Sequence, residues 1–310
     1  MRLAREPVYE TRFGALYCDD SRQLLRELPD DSVDLVVTSP PYALHFKKEY
    51  GNADQQDYVQ WLLPFAAEVK RAMKPSGSFV LNLGGAWQPG APIRSLYQFR
   101  VVLALCDDLG FHLAQEFFWY NPAKMPAPAE WVNVRRVRVK DSVEYIFWFV
   151  KDASAKANNK NVLLPYSADM RRLIARGVKQ AVRPSGHAIK ASFATDQGGA
   201  IPSNMIVCGN NESNSVYIRG SRAAGSKIHP ARFPAELPRF FIQFLTAPGD
   251  VVIDPFAGSN TTGAVSEELE RRWMAFEINA EYAAASKLRF EGAADAVAAS
   301  RGQPTLMFET

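Results

Sequence analysis

Cysteine is scarce in this chain: three occur in 310 residues (Cys18, Cys106 and Cys208), an odd number with no CxxC spacing. That argues against a disulfide framework and a cysteine-based zinc site, and makes a reducing cytoplasm the expected home. The four histidines, His45, His112, His187 and His229, are scattered with no carboxylate at ligand spacing, so no metal site is expected. No apolar run approaches the length of a membrane span, and Met1-Arg2-Leu3-Ala4-Arg5-Glu6 lacks the apolar core of a signal peptide. A soluble protein with no membrane partner is therefore expected. The GxGxxG spacing of dinucleotide sites is also missing, which argues against a nicotinamide cofactor.

What is present can bury a large core: 47% of the residues are hydrophobic, which fits one globular domain with an attached lobe. Short β-branched or aromatic runs predict strands near residues 14–18, 33–38, 78–83, 114–120 and 143–150. Between them, residues 57–73 repeat apolar positions at helical spacing (Tyr58, Trp61, Leu62, Phe65, Val69, Met73), and residues 94–109 do the same. Such alternation predicts an α/β fold, a mostly parallel sheet with helices on both faces. Two late strands, near 251 and 273, are expected to complete the sheet from the C-terminal side.

Two stretches carry chemistry. The first is Ser39-Pro40-Pro41-Tyr42, directly after the apolar run Val33-Asp34-Leu35-Val36-Val37. Consecutive prolines stop regular structure and lack N–H groups, so the carbonyls of Ser39 and Pro40 are left as acceptors beside an aromatic face. Such a cup suits a flat base bearing an exocyclic amine; on these residues alone an ordinary proline turn stays open. The second stretch, Val251-Val252-Ile253-Asp254-Pro255-Phe256-Ala257-Gly258-Ser259-Asn260-Thr261-Thr262-Gly263, predicts a strand, a glycine turn and a helix running to Glu270. Gly258 lets a ligand approach the backbone, and Ser259 to Thr262 can hold a carboxylate at the helix N-terminus. The next strand, Arg272 to Glu277, ends in an acid placed for ribose hydroxyls, although a plain strand-turn-helix with a surface glutamate is the alternative.

The formal net charge is only +3, but it is unevenly spread. Lys151 to Lys227 holds 12 basic and four acidic residues, a net of +8 that leaves −5 on the rest. A basic segment on a mildly acidic body suits a polyanion partner, the alternative being a solvated surface loop. Residues 151–228 are polar and Asn-, Ser- and Gly-rich, and predict an inserted lobe with mobile loops and a basic helix over 168–180. A second basic loop, 122–140, contains Lys124, Arg135, Arg136, Arg138 and Lys140 around Trp131.

Together these segments resemble the amino-group DNA methyltransferases of the beta arrangement, in which the catalytic motif precedes the cofactor motif. The order Ser-Pro-Pro-Tyr (39–42) then Phe-Ala-Gly-Ser-Asn-Thr-Thr-Gly (256–263) matches. So do Tyr17-Cys18-Asp19-Asp20-Ser21, Gly77 to Gly84, Asn121-Pro122-Ala123-Lys124 and His229-Pro230-Ala231-Arg232-Phe233-Pro234. Asn260 stands where many relatives have glycine. The resemblance implies a Rossmann-like S-adenosylmethionine-dependent methyltransferase with S-adenosylhomocysteine as product. Its catalytic half would be 1–150, its target-recognition insertion 151–228, its cofactor half 229–295, and 296–310 a tail of no assigned role.

The resemblance also implies the site roles. Ser39, Pro40, Pro41 and Tyr42 would be catalytic, the Ser39 hydroxyl and Pro40 carbonyl accepting from the amine and Tyr42 stacking on the base. On the cofactor side, Asp20 would bind the adenine amine, Glu277 the ribose, Phe256 the adenosine, and Ser259, Thr261 and Thr262 the methionine end. Asp254 and Gly258, in the turn itself, would also bind the cofactor, and His229, Pro230 and Phe233 would close over it. For Asp20 a helix N-cap, and for His229 a satisfied loop histidine, remain open. Lys124, Arg135, Arg136, Arg138, Arg171, Arg172, Arg176 and Lys179 would meet DNA. Relatives that modify adenine usually begin the tetrapeptide with Asp and those acting at cytosine N4 with Ser, so Ser39 implies N4-cytosine. N6-adenine, a non-catalytic DNA-binding relative, and an RNA or protein-glutamine substrate are the alternatives. No cysteine follows a proline, against C5 chemistry. Double-stranded DNA, a cognate endonuclease and a second copy of the chain are the expected partners, with a nucleoid location when DNA is bound.

Overall fold

In a computed structural model, residues 2–43, 53–177, 181–182, 188–189, 194–210 and 215–291 are described. Lys179, the end of the helix expected over 168–180, His45, His187 and the tail lie outside them. In chain order the elements are β1 (Tyr9–Glu10), β2 (Gly14–Cys18), α1 (Ser21–Arg26), β3 (Val33–Thr38), α2 (Tyr58–Ala72), β4 (Met73–Leu83), α3 (Tyr97–Asp107), β5 (His112–Tyr120) and β6 (Val143–Val150). They continue with α4 (Ala168–Arg176), β7 (Ala181–Val182), β8 (Ala188–Ile189), β9 (Met205–Val207), α5 (Val216–Ala223), α6 (Glu236–Leu245), β10 (Val251–Asp254), α7 (Thr261–Glu268), β11 (Arg272–Glu277), α8 (Ala280–Ser286) and α9 (Leu288–Glu291).

Among the described residues, nine strands form one sheet in the order β1-β2-β11-β10-β3-β4-β6-β5-β9. The five strands from β2 to β4 are mutually parallel, and β6 runs antiparallel to both neighbours. The late strands join the sheet as expected, lying in its middle between β2 and β3. β10 and β11 are short and buried at nearly every position, so they are stable only with strands on both sides.

The apolar strand residues divide between two faces. Val36, Phe79, Leu81, Ile253 and Met274 pack with Leu62, Phe65, Val69 and Val101 of α2 and α3. Leu35, Val37, Val80 and Val252 pack with Leu237, Phe241, Ile242 and Val265 of α6 and α7. A buried acid interrupts β3: Asp34 is satisfied by Lys74 Nζ at 2.8 Å and by the Val251 N–H at 2.9 Å, so the charge is paired and also ties β3 to β10.

The segment 151–228 is partly built into this body. β9 pairs with β5 at the sheet edge, Val162 is buried where a 3₁₀ turn meets α6, and Tyr217 of α5 packs with Ile218 and Ala285. α4 is described to Arg176, followed by Gly177 at φ +73°, and it has no buried residue. No described helix is long and apolar enough to cross a membrane.

Candidate active site

Parallel strands bring their C-terminal ends to one edge, so the segments after β2, β3, β10 and β11 meet although far apart in sequence. There they wall a cleft of about 540 Å³, lined by Asp20, Ser39, Pro40, Pro41, Tyr42, His229, Pro230, Phe233, Phe256, Gly258, Ser259, Thr261 and Glu277, among others. That volume suits a nucleotide-sized ligand.

On the glycine-turn side, Gly258 has φ +53°, and a Cβ there would stand 3.0 Å from the His229 ring. Glu277 is buried and accepts from the backbone N–H of Gly258 (2.8 Å) and of Asn279 (2.9 Å), one on each oxygen. Burial raises its carboxyl above the usual range, those two bonds acting against the rise. Phe256 packs its ring 4.9 Å from Phe65 and 5.7 Å from Trp61 of α2. Arg289 donates to Ser259 Oγ at 2.8 Å. His229 lies edge-on to Tyr282, and its backbone N–H reaches the Tyr217 hydroxyl at 3.0 Å; burial pushes the imidazole down to about 4, so it is neutral near pH 7. Asp20 caps α1 by accepting from the Arg22 N–H at 2.9 Å, and the Arg22 guanidinium lowers its carboxyl; the capping alternative is thus observed, on a residue that also lines the cleft.

Two expected cofactor residues stand off the wall. Asp254 is buried, and its oxygens are taken by Thr38 Oγ1 (2.6 Å), Thr262 Oγ1 (2.7 Å) and the Phe256 N–H (3.1 Å). Asp254 and Thr262 therefore brace the turn from behind, because a carboxylate buried this deep needs every donor within reach. Asn260, in a left-handed conformation, caps α7 through the Gly263 N–H, so the helix N-terminus is closed by the protein's own side chain.

Across the cleft, Ser39 Oγ donates to the Tyr42 hydroxyl oxygen at 3.1 Å, as does Asn82 Nδ2 at 3.1 Å. Tyr42 in turn donates to Glu144 Oε2 at 2.8 Å, and Lys124 Nζ holds Glu144 Oε1 at 2.9 Å. The Pro41 carbonyl is taken by the Tyr58 hydroxyl at 2.7 Å. Burial, then the Glu144 charge, raises the Tyr42 hydroxyl well above its ordinary value.

Of the residues expected to meet DNA, Lys124 is turned inward to Glu144. Arg135 pairs with Glu130 at 2.7 Å and lies over the buried Trp131, and Arg172 pairs with Asp169, whereas Arg136, Arg138, Arg171 and Arg176 are exposed. Sequence reasoning missed Asn82 and Glu144 as cleft residues, along with Trp61, Phe65 and Trp119. The available signal was a lone amide inside the apolar run 79–83 and a lone acid at the start of the run 143–150.

Residues 33–288 match the family of DNA methylases. The Type II methyltransferase M.PvuII of Proteus hauseri is 50% identical over 293 residues, covering 94% of this chain and 87% of its own. M.BglII of Bacillus subtilis is 27% identical over 271 residues, covering 86% and 66%. A solved PvuII DNA methyltransferase, titled cytosine-N4-specific, superposes with a TM-score of 0.77 at 44% identity over 93% of this chain and 90% of its own. A putative DNA modification methylase of Thermus thermophilus, solved with S-adenosyl-L-methionine, shares the fold at TM-score 0.56 and 22% identity, over 89% and 92%.

Proposed function

The chain belongs to the DNA methylase family, and from that premise we propose that it transfers the methyl group of S-adenosylmethionine to the N4 amine of a cytosine flipped out of double-stranded DNA. The observation that carries this is the shared cleft, in which the Ser39–Tyr42 segment and the Gly258 turn face each other. Ser at the head of the tetrapeptide, and 44% identity to a solved enzyme titled cytosine-N4-specific, favour cytosine over adenine.

The wall fits S-adenosylmethionine in chemistry. Glu277 lines the cleft with a carboxylate that can accept from ribose hydroxyls, Phe256 brings an aromatic ring to the same wall for the adenine, and the left-handed turn at Gly258 brings backbone to the cleft surface. Asp20 would take the adenine amine, Ser259 and Thr261 the methionine end, with His229, Pro230 and Phe233 closing the cleft. When bound, the cofactor supplies an electrophilic methyl group on sulfonium.

The chain's own residues deal with the weak nucleophile. The cytosine amine has its lone pair conjugated with the ring, and acceptance of its hydrogens by Ser39 Oγ and the Pro40 carbonyl reduces that conjugation. Because Ser39 spends its own hydrogen on Tyr42, its lone pairs are left for the amine. Positioning supplies most of the remaining gain. Extruding the base costs about a few kcal/mol, offset by phosphate contacts from Arg136, Arg138, Arg171 and Arg176. The segment 151–228 would read the sequence. The Type II names of the relatives support a place in a restriction–modification pair, with a cognate endonuclease as partner.

Mass analysis of nucleosides from DNA of expressing cells should show N4-methylcytosine; N6-methyladenine in its place would overturn the base assignment. Ser39→Ala should lower transfer by roughly 100-fold, the scale of losing one buried transition-state hydrogen bond, with calorimetric affinity for S-adenosylmethionine unchanged.

A further inference from the structure

We propose that Glu144 is the terminal acceptor of a proton relay running from the target amine through Ser39 and Tyr42, with Lys124 as the residue that holds its carboxylate in place. The inference rests on the methyltransferase reading above.

The hydrogen bonds all point one way. Ser39 donates to Tyr42, Tyr42 donates to Glu144 Oε2, and Glu144 Oε1 is fixed by Lys124. Asn82 Nδ2 also donates to the Tyr42 oxygen, so that oxygen has two donors upstream and its single hydrogen is committed to Glu144. Asn82 Oδ1 is buried without a hydrogen-bond partner, on a residue that lines the cleft. Nothing in base positioning alone requires a carboxylate one hydroxyl behind Ser39. A lysine spent on that carboxylate is likewise lost to phosphate binding.

The balance is simple. N4 forms the new N–C bond with its own lone pair, while the electron pair of the broken S–C bond stays on sulfur, and the positive charge building on N4 is relieved within the same step. One N4–H bond breaks and its proton passes to Ser39 Oγ. The former Ser39 proton passes to the Tyr42 oxygen, and the former Tyr42 proton to Glu144 Oε2, which ends as a neutral carboxylic acid. No electrons change hands between residues. Because burial and the Glu144 charge keep Tyr42 from ionising, it transmits a proton and does not store a charge. The Glu144 side chain is 15% exposed, which gives the proton a way out to solvent.

Single-turnover methylation of genomic DNA from a host lacking the enzyme, at saturating S-adenosylmethionine, tests the relay. Glu144→Gln still accepts from Tyr42 but cannot take its proton. It should lower the rate at least ~100-fold, the range of general-base loss, without changing affinity for S-adenosylmethionine. The wild-type rate should fall in D₂O and the Glu144→Gln rate should respond less. Tyr42→Phe cuts the same relay elsewhere, so the double variant should be no slower than the poorer single one. A Glu144→Gln rate within about threefold of wild type, or losses that multiply in the double variant, overturns the relay alone. Absence of N4-methylcytosine with the wild-type enzyme sinks the functional reading and the relay with it.

Discussion

A missing side chain sets the position of the tyrosine on the base side of the cleft. Gly84 follows β4 with no unusual backbone angle, yet a Cβ there would stand 2.3 Å from Cε2 and 2.6 Å from Cδ2 of Tyr42. The Gly84 carbonyl is in turn held by the Tyr97 hydroxyl. A methyl group must therefore move the Tyr42 ring, and with it the hydroxyl that Ser39, Asn82 and Glu144 share. Gly84→Ala is expected to lower transfer by roughly 100-fold, the cost of about 1 Å of misplacement at a reacting centre. Affinity for S-adenosylmethionine should hold, since Gly258 and Glu277 belong to the opposite wall. Equal rates for the variant and the wild type in a single-turnover assay would show that the ring position is not what sets the reaction.

At the scale of elements, the cleft exists because three of them are pinned at one atom group. Asp254 ends β10, Thr38 ends β3 and Thr262 opens α7, and both hydroxyls donate to the one carboxylate. Burial pushes that carboxyl up to about 6 from 3.8, so the folded state holds its proton more tightly than the unfolded chain. Its contribution to stability therefore falls as pH rises between those two values and is flat above about 6. Thr262→Val removes a donor that only the ionised form fully needs. Urea unfolding should show a loss of about 1–3 kcal/mol near pH 8 and a smaller one near pH 5, with affinity for S-adenosylmethionine intact. An affinity loss at unchanged stability would make Thr262 a ligand and not a brace. The same elements show what was legible beforehand. β3, β10 and β11 are read easily because short apolar runs end at proline, glycine or acid. The insertion of β10 and β11 between β2 and β3 was not legible, since it depends on pairing across more than 200 residues. β1 and β9 are too short to carry a pattern. Asp254 and Thr262 were placed in the right turn, but which polar groups face the cleft and which face the core depends on side-chain direction, which spacing does not reveal. Glu144 and Asn82 were missed because a lone polar residue in a strand reads as solvent-facing.

For the molecule as a whole, the basic excess of segment 151–227 is smaller in effect than its composition suggests. Lys151 is paired with Asp31 at 2.6 Å and Lys156 with Asp250 at 2.5 Å, so these two cations fasten the segment to the body. Arg172 pairs with Asp169 on its own helix. Each such arginine or lysine would have to give up its acid before meeting a phosphate. Exposed ion pairs are individually worth little, about 0–1 kcal/mol, but an exchange of one partner for another releases fewer counterions from DNA than a newly formed phosphate pair does. The exposed Arg138 and Arg171 carry the binding argument instead. Replacing either with glutamine should lower the slope of log K against log salt by about 1 for each phosphate no longer neutralised, uniformly across DNA sequences. Arg172→Gln should change that slope by clearly less, and Lys124→Gln should leave it unchanged while slowing methyl transfer, because its ammonium is committed to Glu144. Filter-binding titrations over a range of salt, paired with single-turnover rates, separate the two groups. A Lys124→Gln slope that drops as far as that of Arg171→Gln would place Lys124 on the DNA backbone and detach it from the cleft.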